Sequence, residues 1–117
     1  MHKIIIWMSR HKPVASQMKA LQALYGADVI VEQDPRPFDS AEVIVRRYKE
    51  GGFRDIVVVA PLSVIAKMCE LGVKPLWAES VEETNEQKIE YRGARGKGFR
   101  FVGFKRVARV DLVFEEV

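Results

Sequence analysis

Lys3-Ile4-Ile5-Ile6-Trp7-Met8-Ser9-Arg10-His11-Lys12-Pro13 is the stretch from which the fold follows. A continuous apolar run led by isoleucines suits a strand buried on both faces, where neither side needs to meet water. The polar Ser9-Arg10-His11-Lys12 that follows is a loop. Pro13 then suits the first turn of a helix, where a fixed φ helps and the missing N–H is not needed. Val14, Met18, Leu21 and Tyr25 recur at helical spacing and form one apolar stripe. Gly26 stands where helices commonly end in a left-handed residue.

Moving outward, this strand-loop-helix unit repeats in kind. Asp28 to Val31 reads as a second strand, and Asp34-Pro35-Arg36-Pro37 as a stiff loop. Asp39 with Glu42 has the spacing of a capping box for a helix whose stripe is Ala41, Ile44, Val45 and Tyr48. Asp55 to Ala60 is a third apolar strand. Pro61 and Ser63 open a helix with Val64, Ile65, Met68 and Leu71 facing inward, closed by Gly72. Lys74 to Ala78 is a short fourth strand, its Pro75 pointing to a sheet edge or a strand start. Strands alternating with helices over short loops predict an α/β fold: a Rossmann-like parallel sheet of order 2-1-3-4 flanked by helices. From residue 86 the pattern changes. Glu86 to Arg92 and Gly98 to Lys105 read as a C-terminal antiparallel β-hairpin, and Val110, Leu112 and Phe114 alternate in a last strand, Arg109 to Phe114. The expectation is one domain over 1–117, with a core at 3–78 and a basic hairpin and final strand at 86–117.

A chain of 117 residues, 48% hydrophobic and 30% charged, is enough for one domain with its own core. The single cysteine, Cys69, excludes an internal disulfide, suits a reducing compartment, and reads as a packed small hydrophobe inside the third helix. The longest apolar run, Ile56 to Leu62, is too short for a bilayer, and Met1-His2-Lys3 leads into no signal-peptide pattern. These features predict a cytoplasmic protein with no membrane partner. His2, His11 and one cysteine offer no metal-ligand spacing, and no glycine-rich dinucleotide or Walker sequence occurs. Neither a metal nor another cofactor is expected.

The net charge of +3 is uneven: Tyr91 to Arg109 holds seven of the 19 basic residues and none of the 16 acidic ones. An acidic stretch (Glu79, Glu82, Glu83, Glu86) precedes it. Two readings stand. The basic segment takes an anionic partner such as nucleic acid, or it is one of two oppositely charged surfaces within the tail. Lys97 to Phe104 also matches an RNA-recognition strand pattern except at Arg100, but it follows a complete β-α repeat, so the context fails. Phe99 and Phe101 then share one strand face, to be buried on the core or on a second subunit.

In open α/β sheets, ligands bind beyond the carboxyl ends of the strands where the order reverses, here between strands one and three. The loops there are Ser9-Arg10-His11-Lys12 and Ala60-Pro61-Leu62-Ser63. Their hydroxyls, charges and helix amino termini make a cationic, donor-rich pocket suited to phosphate. Ser9, Arg10, Lys12, Leu62 and Ser63 are the candidate binding residues. Arg36 joins the rim from the loop after strand two, beside Asp34, which would meet a ribose hydroxyl. His11, the residue type that exchanges protons near neutral pH, and Arg10 are the catalytic candidates. The alternative is a solvated loop with Ser63 as a helix cap.

Ile4 to His11, Gln17 to Leu21, Leu24-Tyr25-Gly26, Val57 to Ala66 and Lys74 to Trp77 together resemble the small stand-alone Rossmann-like proteins of CRISPR systems and mobile elements. These are relatives of the CARF sensor domains, and some are ring nucleases. The resemblance covers residues 3–78. It implies a homodimer whose paired pockets hold a cyclic oligoadenylate, with metal-independent phosphodiester cleavage in antiviral defence. On the matched positions Ser9, Arg10, His11 and Ser63 would be the contacts.

Overall fold

In the computed structural model, which describes residues 3–117, β1 (Ile4–Met8) lies between β2 (Ile30–Gln33) and β3 (Asp55–Val58) and runs parallel to both. With both edges paired and both faces covered, Ile5 to Met8 are all buried. Successive side chains enter opposite layers, as strand geometry requires. Ile5 and Trp7 pack with Leu21 of α1 (Ala15–Tyr25), and with Val29, Val57 and Leu76. Ile6 and Met8 pack with Ile44 and Val45 of α2 (Ala41–Glu50) and Met68 of α3 (Leu62–Glu70) on the other face.

The sheet has six strands in the order β2-β1-β3-β4-β6-β5, so the expected 2-1-3-4 order stands within a larger mixed sheet. β4 (Leu76–Glu82) is parallel to β3 and antiparallel to β6 (Gly98–Arg106), which carries the short β5 (Tyr91–Arg92) on its far edge. Pro75 immediately precedes β4, which satisfies the strand-start reading; the strand itself is internal. β4 also runs on to Glu82, because β6 supplies a partner along its whole length.

The expected last strand, Arg109 to Phe114, does not form. Beyond Arg106 the chain leaves the sheet, held at first by the Val107 N–H donating to the Pro75 carbonyl at 3.0 Å. Leu112, Val113 and Phe114 are 81%, 90% and 86% exposed. Alternation marks a strand only where a neighbour offers a ladder of hydrogen bonds, and among the described residues none lies alongside this segment. The helix caps also differ from expectation. Ser40, not Asp39, caps α2, its hydroxyl accepting the Val43 N–H at 3.4 Å. α3 is preceded by Pro61, which leaves Ser63 inside the first turn.

One irregularity shapes the core. Glu79 pairs with Gly103 and Ser80 with Phe101, so Val102 is an extra residue in β6. Such a bulge turns the chain by one side-chain position. Phe101 and Phe104, three apart, consequently meet with ring centroids 4.8 Å apart, and Phe104 meets Trp7 edge-on at 6.2 Å. At the amino ends of the strands, buried Asp55 takes two hydrogen bonds from Arg106 and one from the Tyr25 hydroxyl, joining β3, β6 and α1. Among the described residues, no helix is long and apolar enough to cross a membrane.

Candidate functional site

The carboxyl end of β1 turns into a loop fastened from several sides. The Ser9 hydroxyl accepts the His11 N–H at 3.2 Å, and the His11 carbonyl accepts the Trp7 Nε1–H at 2.8 Å. Gln33 of β2 donates from Nε2 to the Ser9 carbonyl at 3.0 Å. On the other side the Val59 N–H, just past β3, donates to the Met8 carbonyl at 3.3 Å. Val59 is 65% exposed, an unusual position for a β-branched apolar side chain following a buried strand. Ser9, His11 and Val59 form a wall shared by two cavities, one of about 360 Å³ towards β2 and one of about 490 Å³ towards α1 and the hairpin.

The first cavity is lined by Arg10, Asp34, Pro35, Arg36, Pro37 and Phe38, with Met8 behind the shared wall. Asp34 is buried and fully engaged. Its Oδ1 accepts the Arg36 N–H and Nε–H at 3.1 and 2.9 Å, and its Oδ2 accepts Arg36 Nη2 at 2.7 Å. The bonds from Arg36 outweigh burial and hold this carboxyl below the usual carboxylate range. Arg36 therefore lines the cavity with its charge already compensated, and Asp34 is an anchor for its own loop. Arg10 is exposed and, among the described residues, makes no ion pair, so it is the free cation on this side.

The second cavity is mostly apolar, walled by Trp7, Val14, Val57, Val59, Ala78 and Tyr91, with Lys12, Gln17 and Arg92 contributing polar groups. Among the described residues, no aspartate or glutamate lines it. Gln17 Oε1 accepts the Val14 N–H at 2.9 Å and so fixes the start of α1, whose first turn carries no acidic residue. Tyr91 stacks on Phe99, ring centroids 6.0 Å apart and planes within 18°. Burial pushes its phenol up, with a further push from Glu90. A Ser16–Glu90 hydrogen bond pins the hairpin to α1. Arg92 is bound to the Glu86 carboxylate at 2.5 Å and the Gly96 carbonyl at 2.8 Å, whereas exposed Lys12 makes no ion pair among the described residues.

Of the residues expected from sequence, Ser9 and His11 border both cavities, Arg10 and Arg36 the first, and Lys12 the second. Leu62 and Ser63 line neither and lie exposed in the first turn of α3. From β3 and its end the site receives Val57 and Val59 instead. Phe38, Gln17, Val59 and Tyr91 were not expected there. Tyr91 reaches β1 only through the β4-β6-β5 pairing, which no local pattern announces.

The basic segment is largely compensated. Arg92, Arg100 and Lys105 pair with Glu86, Glu83 and Glu79, Arg106 with Asp55, and Arg109 with Asp111. Among the described residues, Arg95 and Lys97 at the hairpin tip are the members without an ion pair. No group of three or more His, Cys, Asp or Glu among those residues is arranged to hold a metal ion. No protein-family model, curated protein or solved structure matches the chain.

Proposed function

We propose that this protein binds an anionic nucleotide over the carboxyl ends of β1 and β3. The observation that carries the reading is the β1 loop itself. Arg10 and Lys12, both exposed and without ion pairs among the described residues, open into cavities on opposite sides of the wall that Ser9 and His11 build. A phosphate over that wall would take a hydrogen bond from the Ser9 hydroxyl and charge-assisted contacts from Arg10 or Lys12. The amino end of α1, free of first-turn acids, adds favourable potential.

The resemblance of the Rossmann-like segment 3–78 to CARF-related proteins makes a cyclic oligoadenylate the first ligand to try, with a homodimer as the binding unit. Metal-independent cleavage on this site would run from a ribose 2′-hydroxyl. Its proton passes to His11 as its oxygen bonds to the neighbouring phosphorus. The bond from phosphorus to the 5′-oxygen breaks, and that oxygen is protonated by the imidazolium. Arg10 would stabilise the charge on the phosphoryl oxygens.

Titration of the protein with AMP and with linear and cyclic oligoadenylates, followed by calorimetry and melting temperature, tests the binding. Saturable heat is expected, with Arg10→Ala weakening it by about 1 to 3 kcal/mol. An unchanged melting curve across the panel rejects the nucleotide reading. A second reading, nucleic-acid binding through residues 91–109, is favoured by Arg95 and Lys97 alone and is taken up in the Discussion.

A further inference from the structure

We propose that residues 109–114 of one copy of this chain add as a strand to the open edge of β6 in a second copy, exchanged reciprocally about a two-fold axis. Two observations on the one chain carry it. The segment after Ala108 holds Val110, Leu112 and Phe114 in strand alternation, yet Leu112, Val113 and Phe114 are almost wholly exposed and no strand pairs with it among the described residues. β6, meanwhile, is paired with β4 from Phe99 to Arg106, while on its far edge β5 reaches only Gly98 and Phe99. Among the described residues, 102–106 therefore keep one edge free of any strand. Such an edge is a template on which a further strand can form. The free edge and the alternating segment are each about one ordinary strand long.

The occupant is a second copy because the two surfaces adjoin in the chain and fit one another. β6 leads directly into the segment, so two copies laid antiparallel each present a tail to the other's β6, the self-complementary arrangement of a two-fold contact. With Asp111 opposite Lys105, the axis passes at Ala108, Leu112 lies opposite Phe104, and Phe114 opposite the exposed Val102. Val113 then falls opposite Gly103, where an added Cβ would meet no non-neighbouring atom within 4 Å. No like charges oppose one another in this register; within one chain Asp111 and Lys105 hold Arg109 and Glu79. Val107 stays bonded to Pro75 and Arg106 to Asp55, so the exchange leaves the core as it is. These anchors lie at the amino ends of the parallel strands. The contact is therefore a different one from any that would pair the cavities at the carboxyl ends, and it stands apart from the nucleotide reading.

Sedimentation equilibrium of the full chain over a wide range of concentration tests this, and a monomer–dimer equilibrium is expected. Ending the chain after Ala108 should leave a folded monomer throughout the range. Leu112→Pro together with Val113→Pro removes whichever of these N–H groups faces β6 while keeping the tail apolar. The dissociation constant should then rise about tenfold or more, since a ladder hydrogen bond is lost on each side of the axis. Dimers should also protect amides within residues 109–114 from hydrogen exchange, and dilution should release them. A full chain still monomeric at about 1 mM overturns the inference. So does a dimer undiminished by the truncation or by the paired prolines, which would place the contact on another surface. Should the shortened chain fail to fold by circular dichroism, the proline pair and the exchange measurement still decide the matter.

Discussion

Arg106 grips Asp55 with both terminal nitrogens, Nη1 to Oδ1 and Nη2 to Oδ2, each at 2.6 Å, across 51 residues of sequence. The same carboxylate accepts the Tyr25 hydroxyl and the Ile56 N–H, and Arg106 also donates to the Lys74 carbonyl at 2.9 Å. One side chain thus ties the end of α1, the start of β3 and the end of β6. Asp55→Ala should destabilise the protein by about 2 to 3 kcal/mol. That is less than for a fully buried pair, because Arg106 keeps nearly half its side chain in water. Urea unfolding checks this, and a loss under about 0.5 kcal/mol, the range for ordinary surface substitutions, would show the clasp to be inert.

The same contact sets a dependence on acid. Burial alone would raise the Asp55 carboxyl, but hydrogen bonds from Arg106 and Tyr25 outweigh it and hold the group below its ordinary value. The unfolded chain therefore binds this proton first as pH falls. The clasp contributes fully above the ordinary carboxylate range near pH 4 and is lost below it. Asp34, lowered by Arg36, acts with the same sign. The melting temperature should hold from neutral pH to about 5 and fall below that. Asp55→Asn should fall less steeply, and an equal slope would assign the acid loss to other groups.

Residues beyond Ala108 should be dispensable for folding. Val107 still bonds to the sheet, but Leu112, Val113 and Phe114 are almost wholly in water. Ending the chain after Ala108 should change the stability of the dilute monomer by no more than about 0.5 kcal/mol. A melting temperature lowered by many degrees at that dilution would mean that this segment is covered within one chain.

Binding to polynucleotides should be weak and only mildly salt-dependent. With Arg92, Arg100, Lys105, Arg106 and Arg109 all ion-paired, the hairpin tip offers Arg95 and Lys97. Two phosphate contacts give a slope of about −2 in log affinity against log salt on duplex DNA. A much steeper slope, flattened by Arg95→Ala and Lys97→Ala, would favour the nucleic-acid reading over the pocket.

The buried β1 and β3 were legible because continuous apolar runs between polar loops admit few other readings. Glycines 26 and 72, with φ of 107° and 87°, marked real helix ends. The tail misled because Val110, Leu112 and Phe114 alternate like a strand, while strand formation depends on a partner that alternation does not report. The basic segment illustrates the same limit. Seven like charges in sequence left open either an anionic partner or a pairing with the acidic stretch before them, and only the antiparallel pairing of β4 with β6 sets Lys105 beside Glu79 and Arg100 beside Glu83. In the site, the β1 loop could be read from its residue types and from topology. Ser63 was placed by the same topology, in the loop after strand three, whereas the start of α3 at Leu62 keeps it out of both cavities. Tyr91 and Phe38 depend on tertiary placement alone.

The clasp of Asp55, Arg106 and Tyr25 lies at the amino ends of the strands, and the two cavities lie at the carboxyl ends. What secures the sheet and what faces a ligand therefore draw on different residues. Arg10, His11 and Lys12 are exposed, so replacing them disturbs little of the core. A library randomised at these three positions should yield mostly folded members, so the chemistry of this loop is free to drift without losing the scaffold.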